Sequence, residues 1–132
     1  MGPSFVDTNV FVYAVGRPHP LREPAQAMLR ERLERGAPMA TSAEVMQELL
    51  HVYLPVGREE TLDAALRLAS DLAMMWPVDA SDVLAARDLA TSEPGLGARD
   101  LMHLAVCRRH GAAELLTFDR ALAAAFDSGA GR

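Results

Sequence analysis

The sequence predicts an α/β fold, a three-layer α/β/α sandwich around a small, mostly parallel central sheet. Short apolar runs at 4–6, 39–40, 76–78 and 114–118 alternate with longer segments whose apolar residues recur at helical spacing. Strands separated by helices pair in parallel, because the crossover returns each strand to the same end of the sheet. The chain has 132 residues, of which 50% are hydrophobic and 23% charged. That is the size and balance of one domain, spanning 1–132, with enough apolar surface to build its own core.

The elements follow in order. Ser4-Phe5-Val6 is a strand candidate that ends at Asp7-Thr8-Asn9, and 10–15 continues as a short helix. The segment 16–20, with Gly16, Pro18 and Pro20, breaks the chain. From 24 to 35, Ala25, Met28, Leu29 and Leu33 lie on one helical face, and Gly36 supplies the residue that closes a helix. Met39-Ala40 is a weak strand, followed by Thr41-Ser42-Ala43-Glu44. That tetrad reads as a capping box with Thr41 as N-cap and Glu44 at N3, opening a helix to about Tyr53. Pro55 and Gly57 stop it. The segment 58–75 reads as a long amphipathic helix, Trp76-Pro77-Val78 as a strand, and 82–91 as a helix capped by Asp79 or Ser81. After a Gly-rich loop at 93–97, a strongly apolar helix runs from 98 to 110 and closes at Gly111. Glu114-Leu115-Leu116-Thr117-Phe118 is the clearest strand, with a last alanine-rich helix at 120–126.

Composition excludes several classes. Cys107 is the only cysteine, so no internal disulfide forms, and its apolar neighbours mark it as a core residue rather than a reactive thiol. No uncharged apolar stretch reaches 18 residues, and Asp7 interrupts the early apolar run, so neither a membrane span nor a signal peptide is expected. A cytoplasmic protein is the expectation. The formal charge of −5, with all 13 basic residues arginine, does not advertise a nucleic-acid partner.

Four acids stand where such a fold puts its chemistry. In an open parallel sheet, ligands bind beyond the carboxyl ends of the strands. Asp7 follows the first strand directly and Asp119 the last, while Glu48 lies a turn inside one helix and Asp100 opens another. Each has an ordinary reading of its own. Asp7 and Asp119 could be N-caps, Asp100 a first-turn acid favoured by the helix dipole, and Glu48 a solvated helical glutamate. Their order carries more than any one of them. Converging carboxylates repel and raise one another's pKa, and a hard divalent cation in the gap removes the conflict. Oxygen-only ligation suits Mg²⁺ or Mn²⁺ rather than Zn²⁺. Without these four acids the formal charge would be −1, so the excess resides in one proposed site.

These same segments carry a resemblance. Phe5-Val6-Asp7-Thr8-Asn9-Val10, Gln47-Glu48-Leu49-Leu50, Ala98-Arg99-Asp100-Leu101-Met102-His103-Leu104-Ala105 and Leu116-Thr117-Phe118-Asp119-Arg120 resemble the four motifs of PIN-domain ribonucleases. The likeness is greatest to the VapC toxins of bacterial VapBC toxin–antitoxin modules, and it covers roughly 4–126. It implies a PIN-like fold and a Mg²⁺- or Mn²⁺-dependent endoribonuclease. Asp7 and Asp100 would be the main metal ligands, with Glu48 and Asp119 completing the set directly or through waters. Thr8, Asn9 and Thr117 would orient the carboxylates. Metal-activated water would attack an RNA phosphodiester in line, leaving a 5′-phosphate and a 3′-hydroxyl. The resemblance also implies a homodimer and a VapB-like antitoxin laid over the acidic groove.

Other residues are weighed against plainer roles. His19, His51, His103 and His110 show no i, i+4 pair, which argues against zinc, and His103 reads first as a partly buried helical residue one turn from Asp100. Arg99 and Arg120 adjoin motif acids and could hold RNA phosphates, or pair with surface acids. Arg108 and Arg109 suit the dipole at a helix end, and Arg30, Arg32 and Arg35 share a solvated face with Glu31 and Glu34. Aromatics make up 5% of the chain, so stacking platforms for bases are sparse. The rival readings are an aspartate-nucleophile phosphatase, a silent PIN-like binding module, and an RNA-processing nuclease without an antitoxin. The first wants an aspartate where Asn9 stands and a lysine that this chain lacks.

Overall fold

The computed structural model describes residues 2–129; Met1 and 130–132, the ends of the expected 1–132 unit, lie outside it. Four short strands, β1 (Ser4–Val6), β2 (Met39–Ser42), β3 (Met74–Trp76) and β4 (Glu114–Leu116), form one sheet in the order β3-β2-β1-β4. Every pairing is parallel: Phe5 opposes Ala40 on one side and Leu115 on the other, and Thr41 opposes Met75. Around the sheet lie α1 (Thr8–Val15), α2 (Arg22–Glu34), α3 (Ala43–Tyr53), α4 (Glu59–Leu72), α5 (Ala80–Ser92), α6 (Ala98–His110) and α7 (Arg120–Gly129), with a 3-10 turn at Leu54–Val56.

The strand order decides where a site can form. The chain steps outward from β1 to β2 and β3, then returns to pair β4 on the other side of β1. The crevice beyond the carboxyl ends of β1 and β4 is therefore the switch point at which ligands enter such sheets. The core beneath it is apolar, with Phe5, Val6, Val10, Phe11, Leu49 and Val106 fully buried. Phe5 stacks on Trp76, and Trp76 in turn stacks on His110 at 4.5 Å. Cys107 belongs to this core, and burial pushes its thiol well above the ordinary range. No helix among the described residues is long and apolar enough to cross a membrane.

Several boundaries differ from the sequence reading, each for a local reason. The first helix starts at Thr8 rather than residue 10, because the Asp7 side chain already accepts from Thr8 N. The second starts at Arg22, ahead of Pro24, a residue tolerated in a first helical turn. The predicted capping box at Thr41 and Glu44 does not form. Thr41 is still in β2 and its hydroxyl donates to Val6 O, while Ser42 is the N-cap of α3 and accepts from Val45 N. A reciprocal box is found instead at Asp79 and Asp82, opening α5 at Ala80. The long helix stops at Leu72, where Ala73 turns extended, and the third strand is Met74–Trp76 rather than 76–78. Pro77 has no N–H for the ladder, which favours the earlier register.

One arginine from each of two sets, Arg32 and Arg109, is also more than solvated or dipole-matched. Arg32 clamps Glu114 from Nε and Nη2, and Ser4 Oγ donates to the same carboxylate. Arg109 holds Asp82 through two bonds, at 2.7 and 2.9 Å.

Candidate active site

Asp7 follows β1 without an intervening residue, its backbone N–H still bonded to Leu116 O of β4. Its Oδ1 accepts from Thr8 N, and its Oδ2 accepts from the Thr117 hydroxyl at 2.7 Å. Thr117 Oγ1 also accepts from Asn9 Nδ2 and from Asp119 N, and Asn9 Oδ1 accepts from Phe118 N. This lattice of bonds ties the segment after β1 to the segment after β4. It puts Asp7 and Asp119 on the same cleft although they are far apart in sequence. Asp119 also accepts from Leu122 N, so it caps α7 while lining the cleft.

Glu48 is not the solvated residue that its isolated reading offered. It sits on the inward stripe of α3 with Val45, Leu49 and Tyr53, and is 7% exposed. One carboxylate oxygen accepts from the Thr8 hydroxyl and the other from His103 Nε2 at 2.9 Å. His103, the residue that sequence reasoning set aside as partly buried, is 1% exposed and also lies 3.5 Å from Asp7 Oδ1. The available signal was an ionisable side chain inside an unbroken apolar run on α6. Yet almost every face of that helix is buried, so periodicity could not aim it.

Asp100, at the start of α6, lines the cleft with Asp7, Thr8, Asn9, Glu48 and Asp119. Arg99 borders it and is exposed, whereas Arg120, beside Asp119, is exposed and is not among the cleft's lining residues. The cleft has a volume of about 360 Å³ and lies open to solvent.

The electrostatics divide the acids. Burial pushes the Asp7 carboxyl above its ordinary value, outweighing the help from His103, Thr117 and Thr8. Burial also raises Asp100, and the neighbouring Asp119 and Asp7 raise it further. Glu48 goes the other way. Burial is the largest single effect on it, but the bond and charge of His103, with Thr8 and Arg99, together hold its carboxyl below the usual range. For His103, burial disfavours the charged ring, yet Glu48, Asp7 and Asp100 outweigh it and raise its pKa.

The residues present fit a hard divalent cation. Ligand atoms from Asp7, Glu48 and His103 lie within 4.8 Å of one another. The His103 nitrogen is already bonded to Glu48, so the donors facing the cleft are carboxylate oxygens. Burial and the neighbouring Asp119 and Asp7 together disfavour charge on Asp100, a conflict that a bound cation would relieve.

Comparison with known proteins agrees with this geometry. The PIN domain family model matches residues 4–126. The chain is 59% identical to Ribonuclease VapC23 of Mycobacterium tuberculosis over 124 residues, covering 94% of this chain and 98% of that one. It is 36% identical to Ribonuclease VapC13 of the same organism over 116 residues, or 87% and 88% of the two chains. Among solved structures, M. tuberculosis VapC20, described as a sarcin–ricin loop cleaving toxin, matches with a TM-score of 0.74 at 22% identity, covering 92% of this chain and 94% of that one. VapBC2 from Rickettsia felis, solved bound to a DNA fragment of its promoter, matches with a TM-score of 0.59 at 16% identity, over 88% and 98%. At such identities the structural matches speak for the fold, while the sequence matches speak for descent. By the family model and the sequence matches, the chain belongs to the PIN domain family and, within it, to the VapC ribonucleases.

Proposed function

We propose that the protein is a metal-dependent endoribonuclease, the toxin of a type II toxin–antitoxin pair, built as a single PIN-like domain over 1–132. The observation that carries this reading is the convergence of Asp7, Glu48, Asp100 and Asp119 on one open cleft at the switch point of the sheet. Asp7 and Asp100 would hold a Mg²⁺ or Mn²⁺ ion, with Asp119 and Glu48 completing the set directly or through waters; both oxygens of Glu48 are engaged by Thr8 and His103. When bound, the ion supplies Lewis acidity for hydrolysis of an RNA phosphodiester.

The chain's own residues do the rest. Thr117 and Thr8 fix the rotamer of Asp7, and Asn9 fixes Thr117, so the carboxylate is oriented before any ligand arrives. His103 holds Glu48 in place. Arg99 at the mouth of the cleft, and Arg120 beyond Asp119, offer charge to the phosphates of the strand. The VapBC likeness supports a VapB-like antitoxin as inhibitor, a homodimer as the working assembly, and the cytoplasm as location.

The test is direct. Purified protein is incubated with total RNA and Mg²⁺ or Mn²⁺, with EDTA in a parallel reaction and Asp7→Asn alongside. Discrete fragments that need the metal and vanish in the variant are expected. Cleavage that persists in EDTA or in Asp7→Asn overturns the assignment.

A further inference from the structure

The acidic cleft does not end at its acids. Val12, Tyr13 and Val52, which line it, also line a second cleft of about 250 Å³ between the α1–α2 loop and the end of α3. The polar side chains there are Tyr13, Arg17, His19, Tyr53 and Arg58, with no carboxylate among its lining residues. A third hollow continues from it through Pro18 and His19 and adds Arg22 and Arg30, with Glu23 its one acid. On a chain with a net charge of −5, a continuous path with four arginines and one acid is a departure that needs a reason.

Its chemistry is that of a nucleic-acid strand. Tyr13 packs on His19 with ring centroids 4.6 Å apart and is braced edge-on by Phe118. Such an aromatic wall is a stacking platform that any base can use. Arg58 lies over the Tyr53 ring, 5.8 Å from its centroid, and donates to the Thr61 hydroxyl rather than to a carboxylate. The Tyr53 hydroxyl is itself buried without a hydrogen-bond partner, an unpaired group that costs stability until something answers it. Exposed Val52 and Val56 supply apolar wall beside these groups.

Resting on the ribonuclease reading, we infer that this path is the RNA track on one side of the scissile phosphate. The strand leaves the acids over Tyr13, sets a base in the second cleft, and runs its phosphates past Arg17 and Arg58 towards Arg22 and Arg30. Continuity with the acidic cleft and opposite charge to the phosphate backbone select RNA over a protein segment as the occupant.

The experiment uses Asp7→Asn protein, which binds without cutting, and a fluorescein-labelled single-stranded RNA followed by anisotropy over a range of salt. Adding Arg17→Ala and Arg58→Ala together is expected to weaken binding several-fold. It should also make the salt dependence shallower, by about 0.7 in log–log slope for each phosphate that is no longer neutralised. Arg87→Ala, on α5 and outside all three clefts, should change neither quantity. With Asp7 intact, the double variant should raise KM for RNA more than it lowers kcat. Unchanged affinity and slope, in protein whose parent cleaves RNA, overturn the track and leave the nuclease standing. So does a double variant that loses only its inhibition by the antitoxin, since the path would then belong to that protein. A parent that cuts no RNA fails earlier, at the ribonuclease reading.

Discussion

Two places in this molecule where acids are buried, Asp82 on α5 and the cleft with Asp7 and Glu48, are resolved in opposite ways. Asp82, 1% exposed between α5 and α6, receives two bonds from Arg109 and one from Asp79 N. Those bonds, led by that of Arg109, hold its carboxyl below the ordinary range despite its burial. At the switch point, four acids share a single buried counter-charge, His103, and it serves Glu48 first. Asp7 and Asp100 are left with carboxyls raised by burial. A buried acid matched by an arginine is architecture. A cluster of acids short of positive charge is a request for an ion from outside.

The comparison breaks first at catalysis. Asp7→Asn or Asp100→Asn should lower metal-dependent RNA cleavage by about 10³-fold, the scale of several kcal/mol of lost charge stabilisation. Arg109→Ala should leave the cleavage rate per folded molecule unchanged. Both are read from initial rates on the same RNA. If the α5–α6 pair mattered to cleavage as much as the acids do, the division would be wrong.

Stability sharpens it next. His103→Ala strands Glu48 and Asp7 without their buried partner and should cost about 3 kcal/mol in urea unfolding. His103→Gln, which keeps a donor towards Glu48, should cost less. Arg109→Ala should lower the thermal midpoint by several degrees, since Asp82 loses both of its guanidinium bonds.

The two regions should also answer pH in opposite senses. The folded-state values of Asp7 and Asp100 are raised, so their contribution to stability is complete below about pH 4 and is lost as pH rises through those values. The value of Asp82 is lowered, so its contribution is present above about pH 4 and is lost as pH falls through the depressed value. In EDTA, Asp100→Asn should therefore be more stable than its parent near neutrality, with the gap closing on acidification. The deficit of Arg109→Ala should shrink in that same direction. Urea midpoints near neutrality and well below about pH 4 check both, and a gain in Asp100→Asn or a deficit in Arg109→Ala that does not change with pH would refute the contrast.

The smallest effect concerns a cap. Ser42→Ala should cost about 1 kcal/mol, because Ser42 and not Thr41 accepts from Val45 N. This is also where sequence reading stopped short. The tetrad Thr41-Ser42-Ala43-Glu44 fits a capping box, but whether Thr41 ends a strand or starts a helix is decided by Val6 O on the neighbouring strand, which pattern cannot see. That Asp7, Asp100 and Asp119 stand on one cleft was legible because strand ends and helix starts are local features, whereas the burial of Glu48 inside α3 was not. Nor was His103, because its role lies in which way one face of a helix points whose middle, Leu101 to Cys107, is buried almost all round. Arg109 was equally hidden, since a helix-end arginine gives no sign that the next helix brings it an aspartate.

The bond between Thr117 and Asp7 joins residues 110 positions apart, and it is part of what assembles the acidic cleft. At ordinary rates of translation, roughly 5 to 20 s separate the synthesis of the two. Until β4 and the residues behind it emerge, β1 has no neighbour on that side, and Asp7 lacks both the Thr117 hydroxyl and the company of Asp119. The acidic cleft is thus among the last parts of the chain to close. A half-made polypeptide therefore carries Asp7 and Glu48 but not the cleft that joins them to Asp119.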